Sequence, residues 1–322
     1  MIDMENVKEL KKHIYSHLAR CSNKKCIYLD LPYYTNIGDV LIWQGTESFI
    51  KENNIECIYR TDYSNFNYKD IEADTIIFLQ GGGNFGDIWR QHQDFRLRII
   101  ELYPNNPIII LPQTIYYEDD KKLEQDAALM NKHNNLTICA RDTVSLEILT
   151  KYFTNSKNLL VPDMAYCIDD KILDRYKSKE VSDKALYLKR TDKEYKENPK
   201  VEELLAKEQR PIDKRDWPSM EKKSLVLFIY GKLMAVKRRI DNRAISHIID
   251  IYMCKIFRPA MLKIGIEFVS KYPTIYTTRL HVAILSTLLE KDFTFVDNSY
   301  GKNKQFYQTW LSENKNITFI SE

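Results

Sequence analysis

The sequence predicts an α/β protein made of two successive Rossmann-like units facing a cleft. Three observations predict it. Short, continuously apolar, β-branched runs alternate with longer stretches of helical spacing, the pattern of a parallel sheet covered on both faces. A polar, charged stretch at 169–183 interrupts the series and reads as a linker. A second set of strands then begins, so 1–170 is expected to form an N-terminal unit and 171–322 a C-terminal one. The length of 322 residues agrees, at roughly 100–200 residues per domain, with two domains or one large α/β unit.

The elements follow in order. Residues 1–20 alternate acidic, basic and apolar side chains at helical spacing without an apolar core, so they read as an amphipathic helix and not as a signal peptide. CIYLDL (26–31) reads as the first strand, followed by a helix over 39–53 with Asp39 as its N-cap. TIIFLQ (75–80) ends in three glycines, and IIIL (108–111) is stopped by Pro112. LTICA (136–140) precedes Arg141, Asp142 and a helix to about Phe153, and a short strand at 158–161 leads into Pro162 and Asp163. Strands are expected in the second half at 185–188, 225–230, 274–276, 293–296 and 317–320.

Composition excludes several classes. With 48 Lys and Arg against 45 Asp and Glu the formal charge is +3, too balanced for a dedicated nucleic-acid binder. An apolar fraction of 44% permits a full core. No window offers about 18 uncharged apolar residues, so no bilayer span is expected. The six cysteines are scattered, which predicts reduced thiols in a cytoplasm, and no metal-ligand cluster is visible.

Candidate chemistry collects in loops that follow strands, where open α/β sheets bind ligands. Asn36-Ile37-Gly38-Asp39 offers a carboxylate to a sugar hydroxyl, or simply a turn and a cap. Gly81, Gly82, Gly83 and Asn84 expose backbone amides that suit an oxyanion or hydroxyl, with Asp87 just beyond; a tight turn is the plainer account. Gly81, Gly83 and Gly86 match a dinucleotide fingerprint only loosely, because Glu101, the acid at about the right distance, falls in a helix. Thr277-Thr278-Arg279-Leu280-His281 puts a guanidinium fork and an imidazole two residues apart, suited to an anion and a proton. Lys189-Arg190-Thr191-Asp192 and Asp297-Asn298-Ser299-Tyr300-Gly301-Lys302 add further cations, so Arg190, Arg279 and Lys302 together suggest a pocket for a small, multiply charged anion.

In this order, NIGD, GGGNFGD, Arg141-Asp142 with Ser145, Pro162-Asp163, KRTD, TTRLH and DNSYGK followed by FYQTW resemble the polysaccharide pyruvyl transferase family over most of the chain. The resemblance implies a fold like that of GT-B glycosyltransferases. It implies phosphoenolpyruvate as donor and a sugar or glycolipid diol as acceptor, yielding a pyruvate ketal and phosphate, with no cofactor or metal. Arg279, Leu280 and His281 fall on the family's RLH site, with the Arg toward the donor and the His as acid, and Arg190 matches its other donor arginine. Asp39 or Asp87 is nominated as the base, and Asn36, Gly82, Gly83, Asn84 and Lys302 as binding residues. A nucleotide-sugar glycosyltransferase and a catalytically silent sugar- or anion-binding protein are the alternatives.

One feature lies apart from that pocket. Residues 232–263 hold eight Lys and Arg against two acids, a local +6 that leaves −3 for the remainder. Leu233, Val236, Ile240, Ala244, Ile248 and Ile251 recur at helical spacing beside Lys232, Arg239 and Arg243. Such a helix suits either core packing with a solvated basic face or contact with the inner face of the cytoplasmic membrane, where acceptors on polyprenyl diphosphate lipids are assembled.

Overall fold

The computed structural model describes residues 4–190, 198–220, 224–240, 242–297 and 301–321. The first half runs α1 (Met4–Leu18), β1 (Lys25–Leu29), α2 (Ile37–Glu52), β2 (Glu56–Arg60), β3 (Ile76–Leu79), β4 (Gly82–Gly86), α3 (Arg90–Leu102), β5 (Ile108–Tyr116), α4 (Asp120–Met130), β6 (Leu136–Ala140), α5 (Thr143–Tyr152), β7 (Lys157–Leu160) and α6 (Asp170–Tyr176). The second runs β8 (Ala185–Leu188), α7 (Pro199–Lys207), β9 (Ile212–Arg215), α8 (Leu225–Arg239), α9 (Arg243–Tyr252), α10 (Arg258–Lys271), β10 (Ile275–Thr277), α11 (Leu280–Leu288), β11 (Phe293–Val296), α12 (Lys302–Phe306) and β12 (Ile317–Ile320). Two sheets result: seven strands in the order β2-β1-β3-β5-β6-β7 with β4 beside β5, and five in the order β12-β11-β10-β8-β9. Every strand pair is parallel. The protein is therefore an α/β protein with parallel sheets.

Alternation along the strands sorts the core. Cys26, Tyr28, Ile76, Phe78, Ile109 and Leu111 face one side of the first sheet and join the main core, while Ile27, Leu29, Ile77, Leu79, Ile108 and Ile110 face the other. The main core also takes in Leu186, Leu188, Ile275 and Phe295 from the second sheet and residues of α2, α10 and α11, so apolar packing is continuous between the two halves. Gly45 marks the closest approach inside it. A Cβ there would overlap the Met164 carbonyl oxygen, so only glycine lets α2 lie against the turn Met164–Cys167.

Three sequence expectations are corrected. LVLFIY at 225–230 is not a strand but the first turns of α8, where the Ser224 side chain accepts from Leu227 N. An apolar run of six fits either period, and the helix-forming KLMAVKRR that follows decides it. The N-cap of α2 is Asn36, whose side chain accepts from Gly38 N; Asp39 sits inside the first turn. The glycine run is not a tight turn. It is β4, paired to β5 through Gly82 with Gln113 and Gly86 with Tyr116. Gly86 has φ of +132°, and a Cβ there would overlap the Tyr116 carbonyl, which explains why a glycine-rich strand runs so close to β5.

Candidate functional site

A cavity of about 530 Å3 opens at the carboxyl ends of strands from both sheets. Tyr34, Thr35, Asn36, Asp39, Gly83, Asn84, His92 and Arg141 line it from the first half, and Arg190, Trp217, Arg279, Leu280, His281 and Lys302 from the second. Thus Asn36, Asp39, Gly83, Asn84, Arg190, Arg279, Leu280, His281 and Lys302 come together. Gly82 stands one residue behind the lining, where a Cβ would rest 3.5 Å from Asp39 Oδ1. Asp87 does not join them: its two oxygens accept from the backbone amides of Glu118 and Asp119, each at 3.0 Å, so it ties down a loop. Thr191, Asp192 and Asn298 to Tyr300, named in the sequence motifs, fall outside the described residues.

Each cation is held by its own structure. Arg279 ends the loop after β10 and is 4% exposed; its Nε donates to Asp216 Oδ1 at 2.5 Å and its Nη2 to Asp216 Oδ2, a bidentate pair that fixes the plane of the fork. Arg141, at the end of β6, is fully buried, with Nε on Thr114 Oγ1 (2.9 Å) and Nη1 on Asp163 Oδ2 (2.8 Å). Lys302 opens α12 and reaches across to β4, where a side chain at Gly83 would overlap its Nζ and approach Arg141 Nη2 within 3.1 Å. Gly83 is glycine because two cations converge over it.

His281 lies against the start of α2. A Cβ on Gly38 would come 2.5 Å from His281 Nδ1, so the ring occupies the space a side chain at 38 would take. Its Nε2 is 3.4 Å from Asp163 Oδ2. Burial alone would raise the Asp163 carboxyl, but the His281 ring and Arg141 outweigh it and hold Asp163 well below the usual carboxylate range. We therefore expect Gly38→Ala to displace the ring. Alanine at a helical position is otherwise favourable by roughly 0.5–1 kcal/mol, so melting should change little while kcat falls at least about tenfold. Wild-type turnover in this variant would refute the placement.

Buried nitrogens belong to residues that line the cavity. Arg141 Nη2 and Trp217 Nε1 are buried with no hydrogen-bond partner, although such groups are normally satisfied, while His281 Nε2 has Asp163 Oδ2 at 3.4 Å. Two nitrogens left this way in residues that line one cavity are suited to the oxygens of an anionic ligand.

The opposite wall carries a second imidazole. His92, near the start of α3, is buried, and its Nδ1 lies 2.6 Å from Asp30 Oδ1. Asp30 takes φ of +64° just past β1 and is also held by Arg96 Nη2 at 3.2 Å. Sequence reasoning missed Asp30, His92, Trp217 and Asp216. No local spacing flags partners 62 or 63 residues apart. Among the described residues, no group of three or more His, Cys, Asp or Glu could hold a metal ion.

Comparison with known proteins agrees with this arrangement. The profile of the polysaccharide pyruvyl transferase family matches residues 36–300, from the N-cap of α2 to the edge of the Lys302 loop. The chain belongs to the polysaccharide pyruvyl transferase family. It is 36% identical to EpsO of Bacillus subtilis (strain 168) over 88% of this chain and 85% of that one. It is 27% identical to Pyruvyl transferase 1 of Schizosaccharomyces pombe (strain 972 / ATCC 24843) over 89% of this chain and 70% of that one. An uncharacterized protein of Klebsiella pneumoniae subsp. pneumoniae NTUH-K2044 has the same fold, with a TM-score of 0.61 at 22% identity over 99% of this chain and 98% of that one. As a member of this transferase family the chain serves polysaccharide biosynthesis, and its family match spans every lining residue named above except Tyr34, Thr35 and Lys302.

Proposed function

We propose that this pyruvyl transferase moves the pyruvyl group of phosphoenolpyruvate onto two hydroxyls of a sugar, forming a ketal in a cell-surface or capsular glycan precursor. The single observation that carries the donor is the set of unsatisfied buried donors beside Arg279, Arg190 and Lys302. Phosphoenolpyruvate brings a carboxylate and a phosphate, and cationic forks with fixed planes suit both groups. The two halves act as lobes on a cleft, with the donor against the C-terminal lobe and the acceptor against the N-terminal one.

The chemistry needs an acid and a base. His281 donates a proton to the methylene carbon of the donor, which leaves C2 electrophilic. One sugar hydroxyl adds to C2 as its proton passes to the base. The second hydroxyl then adds as the C2–O bond to phosphate breaks, and its proton leaves with hydrogen phosphate. For the base we favour His92 over Asp39. Asp30 orients the His92 ring as the third member of a relay does, whereas Asp39 already accepts from Asn36 Nδ2 at 2.8 Å.

Phosphate release from phosphoenolpyruvate, measured with and without a panel of galactose, mannose, glucose and N-acetylmannosamine acceptors, tests the reading. Release should depend on an acceptor, and Arg279→Lys, which keeps charge but loses the fork, should raise KM for phosphoenolpyruvate about tenfold or more. Turnover of a nucleotide sugar with phosphoenolpyruvate left intact would overturn it.

A further inference from the structure

The helical hairpin α8–α9 carries chemistry that the cavity does not use. Val226, Leu227, Tyr230, Leu233 and Met234 pack against the main core. Tyr252 Oη donates to Val226 O at 2.7 Å and Lys237 Nζ to Ser246 Oγ at 2.7 Å, so the two helices run antiparallel. Their outward faces are apolar: Leu225 is 74% exposed, Phe228 61% and Ile248 57%, with Val236, Ile240 and Ile251 also exposed. Isolated exposed apolar side chains are ordinary, but this many on one hairpin mark a contact surface.

The charge around them has one sign. Lys232, Arg238, Arg239, Arg243 and Lys255 are all exposed. Asp250, the one acid among the described residues from 225 to 256, turns inward and accepts from Tyr33 Oη, Thr61 Oγ1 and Asn65 Nδ2. The single helix expected over 232–263 is thus corrected in two ways. It breaks before Asn242, the N-cap of α9, and Arg258 leaves the basic face to pair with Glu47 at 3.1 Å over the Trp43 ring.

We infer that this hairpin docks on an anionic lipid bilayer, with Phe228, Val236, Ile240, Ile248 and Ile251 entering the interfacial layer and the cations meeting the headgroups. A second copy of the chain would oppose the same cations across the contact and be repelled, whereas a negatively charged surface complements them. The inward side of the hairpin adjoins the cavity wall. Tyr230 Oη donates to Tyr33 O at 2.8 Å, and the next residues, Tyr34, Thr35 and Asn36, line the site. A sugar carried on a lipid anchor would reach that wall without leaving the membrane; this last link rests on the proposed function, and the docking does not.

Flotation of the full chain with vesicles rich in phosphatidylglycerol, against vesicles of phosphatidylcholine alone, tests the docking. Binding should be confined to the anionic vesicles and weaken with salt. Lys232→Gln/Arg239→Gln should cut partitioning about thirtyfold, at about fivefold per cation. Phe228→Asp/Ile248→Asp should cut it at least about tenfold while still releasing phosphate with a water-soluble acceptor. A chain that stays at the bottom of the gradient at low salt, or a doubly substituted chain that floats like wild type, would overturn the docking and leave the transferase reading untouched. So would sedimentation showing a dimer that Phe228→Asp/Ile248→Asp dissolves, for a second copy would then cover the face.

Discussion

Arg141→Met is expected to lower stability by about 3–5 kcal/mol at pH 7, since it strips a buried carboxylate of its guanidinium partner. Arg141 and Asp163 are both fully buried and 2.8 Å apart. In a protein of 322 residues that loss lowers Tm by roughly 4–7 °C. The pH dependence has a definite sign. Asp163 is held below its unfolded value of about 3.9, so its contribution is complete above that pH and is lost as acid titrates the folded carboxyl. Removing Arg141 raises the folded value, so the gap between variant and wild type should be widest near neutrality and close as pH falls. Urea titrations at several pH values would measure it. Equal stability at pH 7 would show that the pair is not formed as described. Arg141 also lines the cavity, and its Nη2 has no hydrogen-bond partner. Arg141→Lys, which restores charge without the fork, should therefore recover much of the stability but keep a raised KM for phosphoenolpyruvate.

Arg141 also marks how far the sequence alone reaches. Strands buried on both faces announce themselves as apolar runs, so TIIFLQ, IIIL and LTICA were legible, and with them the loops at their carboxyl ends. Asn36, Arg279, His281 and Lys302 were found by that route. Arg141 was seen as part of a family pattern, but nothing local said that its guanidinium is sealed between Thr114 and Asp163. Asp216 and Trp217 sit after β9, a strand reading IDKR whose polar edge gives no apolar signal. Asp30 and His92 meet only because β1 ends and α3 begins at the same edge of the sheet. Asp87 misled for the converse reason: a carboxylate following glycines in a strand-end loop has the right address, but its oxygens are occupied by the amides of Glu118 and Asp119.

His281→Ala is expected to reduce phosphate release by about 100- to 10,000-fold, the usual contribution of a positioned acid. The loss should fall on kcat more than on KM for phosphoenolpyruvate, because Arg279 and Arg141 keep their own supports in the variant. His281 is partly buried against α2 and meets Asp163 Oδ2 at 3.4 Å, but the apolar core between the two halves is continuous without it, so the variant should fold; Asp163 keeps Arg141 and the amide of Ala165 at 2.9 Å. The pH profile separates acid from base. If His281 supplies the proton, activity in wild type falls on the alkaline side as that proton is lost, and the alkaline limb should vanish from the residual activity of His281→Ala. His92→Asn should instead remove the acidic limb, because a base works only when unprotonated, and Asp30→Asn should act in the same direction by releasing the ring it orients. Asp39→Asn should leave both limbs in place. An Asp39→Asn variant that loses the acidic limb while His92→Asn keeps it would reverse the assignment of the base, and full activity in His281→Ala would remove that imidazole from the reaction.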